Sequence, residues 1–313
     1  MALPLDGVYA AVVTPFDVDG RVLVDALQGH LRHLERKGCH GVLVCGTTGE
    51  AASLSVEERI AVFEAASRTG TKLRLLAGTG AASLEDAVRL THAAFDGGAD
   101  AVVVIPPYFN RESSDDGLFL FYEDLVKRAV PADGRLMLYH NPVTTITSIS
   151  FDLIRRLCDR FPEQVAGIKD SGSDLEHSRQ LNHYFPNLCV LVGDDRHLAA
   201  NLEAGGAGAI TGLGNLFADL LSDIYRFHHA GESTAAGQQR LDHAHGLFNG
   251  IPRIAGTKAI LAAGRVIPAD AVRPPLRPLT AAERDLLAER FHLNERLPDK
   301  VNLADLARLS AGQ

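Results

Sequence analysis

The chain has 313 residues, of which 46% are hydrophobic and 22% charged, and its formal net charge is −8. This composition is typical of a globular protein with a large core, and the negative balance argues against a general binder of nucleic acid or of anionic membranes. No apolar run approaches the roughly 20 residues of a membrane helix, and Met1–Asp6 has no signal-peptide features. The cysteines form no CxxC pair, so we expect reduced thiols and a cytoplasmic protein: Cys39, Cys45, Cys158 and Cys189.

Short apolar runs rich in β-branched residues alternate with helix-forming stretches over the first two thirds of the chain. Most runs are continuously apolar, as parallel strands buried on both faces are. Eight strand–helix units predict a (β/α)8 TIM barrel, and the first turn lacks the glycines of an open doubly wound sheet. The predicted strands are Val8–Thr14, Gly41–Cys45, Leu73–Gly78, Ala101–Ile105, Arg135–Tyr139, Val165–Lys169, Cys189–Gly193 and Gly208–Thr211.

Local signals mark the helix ends and the change of architecture after the last strand. Ser55 begins a capping-box pattern and Ser83 a similar one, whereas Gly38 and Gly97-Gly98 stand where helices should end. We therefore predict a barrel over residues 1–216 that carries the active site, followed by a helical appendage over residues 217–313. Its predicted parts are the helices Phe217–Ala230, Ser233–Phe248 and Thr257–Val266, an extended linker Arg273–Pro278, and a last helix from Thr280.

The most informative residue is Lys169, which ends the apolar strand Val165–Lys169. An unpaired ammonium in an apolar environment is costly, and only about one lysine in a few thousand is neutral at pH 7 with the reference pKa near 10.4. Burial that lowers the pKa by ~3 units makes the neutral amine, a nucleophile for carbonyl carbons, common. The alternatives for this segment are a lysine that reaches the barrel rim or one that pairs with Asp170.

In a barrel the chemistry lies where the strands end and the following loops begin. Strand 2 ends in Cys45–Glu50, whose glycines and threonines offer backbone N–H groups and hydroxyls to a carboxylate. Strand 5 ends in Tyr139, strand 6 in Lys169 and strand 7 in Gly193–Asp195. An amine, a phenol on the neighbouring strand and an anion-binding turn together predict a lyase that forms an imine with a 2-keto acid.

These motifs resemble the dihydrodipicolinate synthase/N-acetylneuraminate lyase family of pyruvate-dependent class I aldolases. The resemblance covers about residues 5 to 300 and rests on Gly46–Glu50, Ala77–Gly80, Tyr139 and Gly167–Ser171. It implies a (β/α)8 barrel with a C-terminal helical domain, usually in a homotetramer, and small-molecule keto acid and aldehyde substrates.

The resemblance also implies a role for individual residues. By this analogy Lys169 forms the imine and Tyr139 moves protons, while Thr47 and Thr48 bind the pyruvate carboxylate and Thr48 helps to relay protons. The backbone at Gly193 and Ile210 would lie beside the keto acid. We expect neither a metal nor a cofactor, since the imine makes a metal redundant and no GxGxxG turn follows the first strand.

Two positions depart from the synthases of this family. Thr144 stands where they carry an arginine that binds the carboxylate of aspartate semialdehyde, and a threonine cannot replace such a bidentate contact. Phe109 stands where they bring a relay tyrosine into the neighbouring subunit, although Tyr108 could shift to replace it. The positions that sense lysine are also unmatched, with Val56 and Arg59 there.

We therefore expect a Schiff-base aldolase acting on pyruvate or a 2-keto-3-deoxy sugar acid. Thr144, Ser171, Asn141 and His140 are plausible partners for substrate hydroxyls, although such residues also satisfy loop backbone groups. The alternatives are 4-hydroxy-tetrahydrodipicolinate synthase, a dehydratase of keto-deoxy acids on the same scaffold, and a non-catalytic relative that binds small acids.

Two further clusters invite a metal-site interpretation and are set aside. The histidines of the C-terminal helices have no acidic or cysteine partner at ligand spacing in the sequence, so they are interpreted as solvated helix faces: His228, His229, His243 and His245. Asp194 and Asp195 are interpreted as caps of the following helix.

Overall fold

The structure is a computed structural model, and it describes residues 5–110 and 112–291. A closed barrel of parallel strands lies at its centre, in which each strand pairs with the next and β8 pairs with β1. This confirms the predicted (β/α)8 barrel. Its strands are β1 Gly7–Ala11, β2 Gly41–Val44, β3 Arg74–Gly78, β4 Ala101–Val104, β5 Leu136–His140, β6 Val165–Asp170, β7 Cys189–Val192 and β8 Gly208–Thr211.

All eight predicted strands are present; β8 has the predicted ends, and the ends of the other strands differ by at most three residues. The largest difference is at β1, which ends at Ala11 rather than at Thr14. The N–H of Val13 donates to the Asn215 side chain at 3.1 Å rather than to a neighbouring strand. This long-range contact lets the chain leave the sheet early, and no local pattern in the sequence reveals it.

Helices surround the barrel and connect its strands. Ser55 and Glu58 form the expected capping box, and Ser83 accepts a hydrogen bond from the N–H of Asp86. The helices are α1 Val24–Arg36, α2 Val56–Ser67, α3 Leu84–Asp96, α4 Asp115–Ala129, α5 Pro142–Thr145, α6 Phe151–Arg160, α7 Leu175–Tyr184, α8 Leu198–Glu203, α9 Gly214–His229, α10 Ala235–Gly246, α11 Arg253–Ala263 and α12 Ala281–Arg290.

The last four helices correspond to the predicted C-terminal helices. The expected domain boundary at residue 216 falls inside α9, next to the non-helical backbone of Phe217 (φ −123°, ψ 35°), and the division itself stays a prediction. Residues 292–313 of the predicted appendage lie outside the described residues. None of the described helices is long and apolar enough to cross a bilayer.

The strands bury two apolar layers, one inside the barrel and one between the barrel and its helices. The inner layer contains Leu43, Tyr139, Leu191 and Ile210, contributed by β2, β5, β7 and β8. Because the strands are parallel, their carboxyl ends meet at one rim of this layer. The side chains that follow the strands are therefore gathered there.

Candidate active site

Lys169 and Tyr139 lie side by side on neighbouring strands. They are register partners in the β5–β6 pair, so their side chains leave the same face of the sheet. The Lys169 Nζ lies 4.1 Å from the centroid of the Tyr139 ring. Both residues are buried, with 4% and 6% of their surface exposed. The sequence therefore placed the amine and the phenol correctly relative to each other.

The alternatives considered for Lys169 do not hold in the structure. A lysine at the rim would be exposed, and this one is buried. Asp170 turns to other partners: its Oδ2 accepts a hydrogen bond from the Ser178 hydroxyl at 2.7 Å and lies 2.9 Å from Nδ1 of His177. Among the described residues, no carboxylate forms an ion pair with Lys169. The buried Lys169 amine therefore has no carboxylate partner among the residues that the structure describes.

The Tyr139 hydroxyl is the centre of a hydrogen-bond network. It lies 3.1 Å from the Thr47 hydroxyl and accepts a hydrogen bond from Nδ2 of Asn141 at 3.1 Å. Burial alone would raise the pKa of this phenol, but the charge of Lys169 and hydrogen bonds with Thr47, Lys169 and Ser171 bring the pKa below its ordinary value. A phenol made more acidic in this way is suited to giving up and regaining a proton.

The turn after β2 presents Thr47 to the space above the barrel. The peptide N–H of Glu50 closes this turn by donating to the Thr47 carbonyl at 3.1 Å. Thr48 points elsewhere, because its Oγ1 would lie 3.5 Å from a Cβ added to Gly212 after β8. The two threonines therefore face different parts of the rim.

Glu50, the last residue of this motif, is tied to the C-terminal helices. Its backbone is left-handed (φ 55°), and its Oε1 accepts a short hydrogen bond from Nζ of the fully buried Lys258 in α11. Its Oε2 accepts from the N–H of Arg273 at 2.9 Å. The Glu50 charge is thus neutralised from within the protein, and the turn is joined to the helical part of the chain.

Gly193 must be glycine because Ser171 occupies the space beside it. A Cβ added at Gly193 would lie 1.9 Å from the Ser171 Oγ, well inside van der Waals contact. The N–H of Gly193 donates to the Asp170 carbonyl at 2.7 Å. This close approach brings the ends of β6 and β7 together next to Lys169. Ile210 is fully buried in β8 in the inner layer.

A cavity of about 360 Å³ opens at this rim and contains the Tyr139 and Thr47 side chains. Thr144, whose role was left open by the sequence, lines the cavity and is exposed. Tyr108 also lines the cavity, whereas Phe109 is 89% exposed. The remaining wall is mainly apolar, with one cation, Arg59 of α2, among the described lining residues.

Arg59 was noted in the sequence only as a mismatch, and the structure makes it part of the cavity. Its Nη2 donates to the backbone carbonyls of Gly78, at a short distance, and of Gly80, at 3.1 Å. A Cβ on Gly78 would lie 2.2 Å from the Cys45 carbonyl. These glycines therefore bring β3 close to the β2 turn and expose the carbonyls that Arg59 binds. No local pattern in the sequence indicated this contact, because it joins α2 to the end of β3.

One group of metal-binding residue types lies behind the site, formed by His140, Asp170 and His177. The Nδ1 of His140 accepts a hydrogen bond from the N–H of Ile149 at 3.2 Å, which leaves the ring proton on Nε2. The Asp170 carboxylate is already occupied by Ser178 and His177. Asp170 and His177 thus form a hydrogen-bonded pair beneath the end of β6, and the His140 ring stacks on His177 with the centroids 4.6 Å apart. His140 contributes to this cluster rather than to the cavity wall.

The histidine interpretation for the C-terminal helices was wrong in one case. His245 is partly buried, and its Nδ1 lies 3.7 Å from Oδ2 of Asp195, although the two residues are far apart in the sequence. The capping prediction is confirmed for Asp194, whose side chain accepts a hydrogen bond from the N–H of Arg196 at 3.0 Å at the start of the short 3₁₀ helix Asp195–His197. It is wrong for Asp195, which is the first residue of that helix rather than its cap. Sequence spacing could not reveal the His245 contact because the fold brings α10 onto the end of β7.

Comparison with known proteins agrees with the fold and with this geometry. The model of the dihydrodipicolinate synthetase family matches residues 4–292. An uncharacterized DapA-like lyase of Chloroflexus aurantiacus is 40% identical over 88% of this chain and 93% of its own. The 4-hydroxy-tetrahydrodipicolinate synthase of Sorangium cellulosum is 34% identical over 92% and 95%.

The solved structures include YagE, a prophage protein of this family from Escherichia coli K12, in complex with pyruvate. It is 27% identical, covers 92% of this chain and 98% of its own, and superimposes with a TM-score of 0.86. A family match over nearly the whole chain agrees with the motifs, the barrel and the paired lysine and tyrosine. The chain therefore belongs to the dihydrodipicolinate synthetase family and is a lyase of the class I aldolase type.

Proposed function

We propose that this enzyme forms an imine between Lys169 and the carbonyl of pyruvate or of a 2-keto-3-deoxy sugar acid. The observation that carries the proposal is the buried Lys169 amine 4.1 Å from the Tyr139 ring, with no described carboxylate to hold it as an ion pair. A relative of the same fold, YagE, was solved with pyruvate. A 2-keto acid suits this site because its carbonyl carbon accepts an amine nucleophile.

The proposed reaction starts at Lys169. After Lys169 has given up a proton, its amine attacks C2 of the keto acid, and water leaves after proton transfer to the former carbonyl oxygen, which gives an iminium ion. In the cleavage direction the C3–C4 bond breaks, its electrons form an enamine, and the C4 hydroxyl loses its proton as the aldehyde departs. Protonation of C3 and hydrolysis then release pyruvate and the free lysine.

Tyr139 is the group we assign to the proton transfers. Its hydroxyl is connected to Thr47 and Asn141 by hydrogen bonds of 3.1 Å, and the lowered pKa of the phenol favours both loss and recovery of a proton. A general acid–base group in this position contributes about 10²–10⁴-fold to the rate. Thr47, in the glycine-rich turn beside the phenol, is the group we assign to the carboxylate of the keto acid, together with backbone N–H groups of the turn. Thr48 faces the end of β8, and its role in binding the carboxylate and relaying protons stays a prediction from the resemblance.

The second substrate distinguishes the sugar-acid lyase from the synthase. Thr144 lines the cavity and Phe109 has no hydroxyl, so the arginine and relay tyrosine expected of a synthase by resemblance are not supplied here. Tyr108 lines the same cavity and has a hydroxyl. The 4-hydroxy-tetrahydrodipicolinate synthase activity stays the second candidate, since relatives of that name are 34% identical. A dehydratase would use the same imine and differ in its product.

The proposal includes an oligomeric, cytoplasmic enzyme. Four apolar side chains beside the cavity are 41–89% exposed, which favours their burial against another subunit: Tyr108, Phe109, Val143 and Ile146. The homotetramer is inferred by resemblance, and sedimentation velocity tests it. The four free cysteines support a reducing compartment.

Borohydride reduction in the presence of pyruvate tests the imine. We expect one pyruvyl adduct by intact mass and its location on Lys169 by peptide mapping. Lys169→Ala should abolish the adduct, whereas Lys72→Ala, at an exposed lysine, should leave it unchanged. A folded wild-type protein that forms no adduct with pyruvate or with longer keto acids would refute the proposal. Products formed from keto-deoxy sugar acids and from aspartate semialdehyde then separate the candidates.

A further inference from the structure

Asn141 follows β5 directly and lies two residues after Tyr139. Side chains two residues apart along an extended chain lie on the same face, so the Asn141 amide and the Tyr139 phenol share the inner face of the barrel rim. His140, between them, lies on the other face, where its ring stacks on His177. Asn141 is 6% exposed, and its Nδ2 donates to the Tyr139 hydroxyl at 3.1 Å. The phenol therefore has a buried amide donor from its own chain.

The Asn141 side chain does not serve the helix that it begins. Asn141 is the N-cap of α5 Pro142–Thr145, and an asparagine side chain at an N-cap usually accepts a hydrogen bond from the first helical N–H groups. Here it forms no such bond with the described residues of α5. The Asn141 backbone carbonyl instead accepts from the N–H groups of Thr144 and Thr145, at 3.1 and 3.0 Å. These bonds fix the backbone of Asn141 and leave its amide for Tyr139.

The hydrogen bond between Asn141 and Tyr139 has only one direction. An amide nitrogen carries two hydrogens and donates only, so the phenol oxygen accepts at this contact and keeps its own hydrogen for another partner, such as the Thr47 hydroxyl 3.1 Å away. When the phenol loses its proton, Thr47 can turn to donate as well, whereas Asn141 donates in both states. A donor to the charged form of an acid favours that form. Asn141 therefore stabilises the phenolate.

This donor matters most when Lys169 is uncharged. Burial raises the pKa of Tyr139, and the positive charge of Lys169 is the largest of the effects that lower it. In the proposed reaction Lys169 gives up its proton before its amine attacks the keto acid, so its charge is absent until the iminium ion forms. The neutral Asn141 amide is unaffected by that change. Its hydrogen bond continues to stabilise the phenolate during these steps.

We propose that Asn141 is a positioning residue for Tyr139. Its amide directs the phenol towards Thr47 and stabilises the phenolate while the lysine carries no charge. This inference rests on the proposed function, which assigns the proton transfers to Tyr139. It gives Asn141 a role that acts through the phenol, in place of the contact with substrate hydroxyls that the sequence left open.

Alkaline titration followed by the near-ultraviolet absorbance of tyrosinate tests this role without substrate. The chain has no tryptophan to overlap the signal, and subtracting the titration of Tyr139→Phe isolates the contribution of Tyr139. Asn141→Leu, which has a similar volume and no donor, should raise the Tyr139 midpoint by about one pH unit, a 10-fold change in the ionisation constant. Asn141→Asp should raise it further, because a carboxylate then faces the phenolate. Asn182→Leu, which removes an amide that donates to Asn201 at 3.0 Å, should titrate as wild type.

The order of these midpoints separates positioning from a purely structural role. A structural role predicts lower stability in both variants and the wild-type midpoint in each. An unchanged Tyr139 midpoint in Asn141→Leu would overturn the proposal. Asn141→Asp, which keeps the size and shape of the amide, decides the question in the same way if the leucine variant does not fold.

Exchange of the pyruvate methyl hydrogens in D2O separates this inference from the proposed function. In the Lys169 imine, C3 gives up a proton to form the enamine and regains a deuteron, and this cycle needs no aldehyde. We expect the pH profile of exchange in Asn141→Leu to move upward by the same amount as the Tyr139 midpoint, with the borohydride adduct retained. If the midpoint moves but no keto acid forms an adduct with Lys169, the positioning role stands and the imine mechanism fails. If the wild type exchanges and Asn141→Leu matches it in both profile and midpoint, the imine stands and the Asn141 assignment fails.

Discussion

Replacing Lys258 by methionine should destabilise the protein through the turn that carries Thr47. Lys258 and Glu50 have 0% and 1% of their side-chain surface exposed, and they form an ion pair between α11 and the turn after β2. Nζ of Lys258 also donates to the Ala271 carbonyl at 2.8 Å and lies 4.1 Å from the Phe16 ring. Methionine fills a similar volume but leaves the Glu50 carboxylate buried with only the Arg273 N–H as partner.

The size of the effect follows from this burial. Removing one partner of a fully buried ion pair costs about 3–5 kcal/mol, because the remaining charge is left uncompensated. In a protein of this size each kcal/mol lowers the melting temperature by about 2 °C, so a decrease of about 6–10 °C is expected. Glu50 also has a left-handed backbone in the turn that contains Thr47. Loss of its anchor should therefore raise the KM for the keto acid as well.

Urea unfolding of four proteins measures the effect and its cause. These are the wild type, Lys258→Met, the double variant Glu50→Gln/Lys258→Met, and Lys127→Met as a control. Lys127 pairs with Glu123 on the surface, with 47% of its side chain exposed, and such a pair contributes about 0–1 kcal/mol. We expect the double variant to recover much of the stability lost in Lys258→Met, because a neutral amide replaces the unpaired Glu50 carboxylate.

Two results would refute this reasoning. If Lys258→Met lowered the free energy of unfolding by less than about 1 kcal/mol, the Lys258–Glu50 pair would contribute no more than a surface salt bridge. A double variant no more stable than Lys258→Met would mean that the isolated Glu50 charge is not the source of the loss.

Three further predictions concern acid stability, proton transfer and the β6–β7 contact. Burial lowers the pKa of His30 from its ordinary value of 6.5 to about 4, although the hydrogen bond with Asn215 acts in the opposite direction. The resulting stabilisation is complete above pH 6.5 and falls by about 3 kcal/mol towards pH 4; urea unfolding across this range should show it, and an unaltered pH profile in His30→Gln would contradict it. Tyr139→Phe should retain the borohydride adduct while kcat falls about 10²–10⁴-fold, and a normal kcat would remove Tyr139 from the proton transfers. Gly193→Ala should lower the melting temperature and raise the KM for the keto acid, because its Cβ would lie 1.9 Å from the Ser171 Oγ; the added change Ser171→Gly should recover part of both, and no recovery would mean that this clash is not limiting.

Local patterns were sufficient to predict the barrel and the pair of residues at its centre. Continuous apolar runs separated by helical stretches reflect strands buried on both faces, so their order identifies a (β/α)8 barrel. Tyr139 and Lys169 end consecutive strands, and parallel pairing then requires them to be neighbours, as the register shows. The capping box at Ser55 is equally local and equally reliable.

Contacts between distant segments could not be predicted in the same way. The bond from Val13 to Asn215 shortens β1, and the approach of His245 to Asp195 depends on how α10 packs on β7. The Lys258–Glu50 pair joins residues 208 positions apart. The local sequence around one residue of such a pair does not identify the other residue, because the contact depends on the path of the whole chain.

The sequence by itself determined the fold and the positions of Lys169 and Tyr139 on neighbouring strands, because these depend on strand order and strand ends. Only the tertiary structure decided which partners the charged groups in and around the cavity find. Glu50 in the anion-binding motif forms an ion pair with Lys258, whereas Arg59, noted in the sequence only as a mismatch, donates to the backbone carbonyls of Gly78 and Gly80 at the cavity wall. Charge compensation acts between atoms a few ångströms apart in space, so it follows the packing of the folded chain rather than the order of its residues.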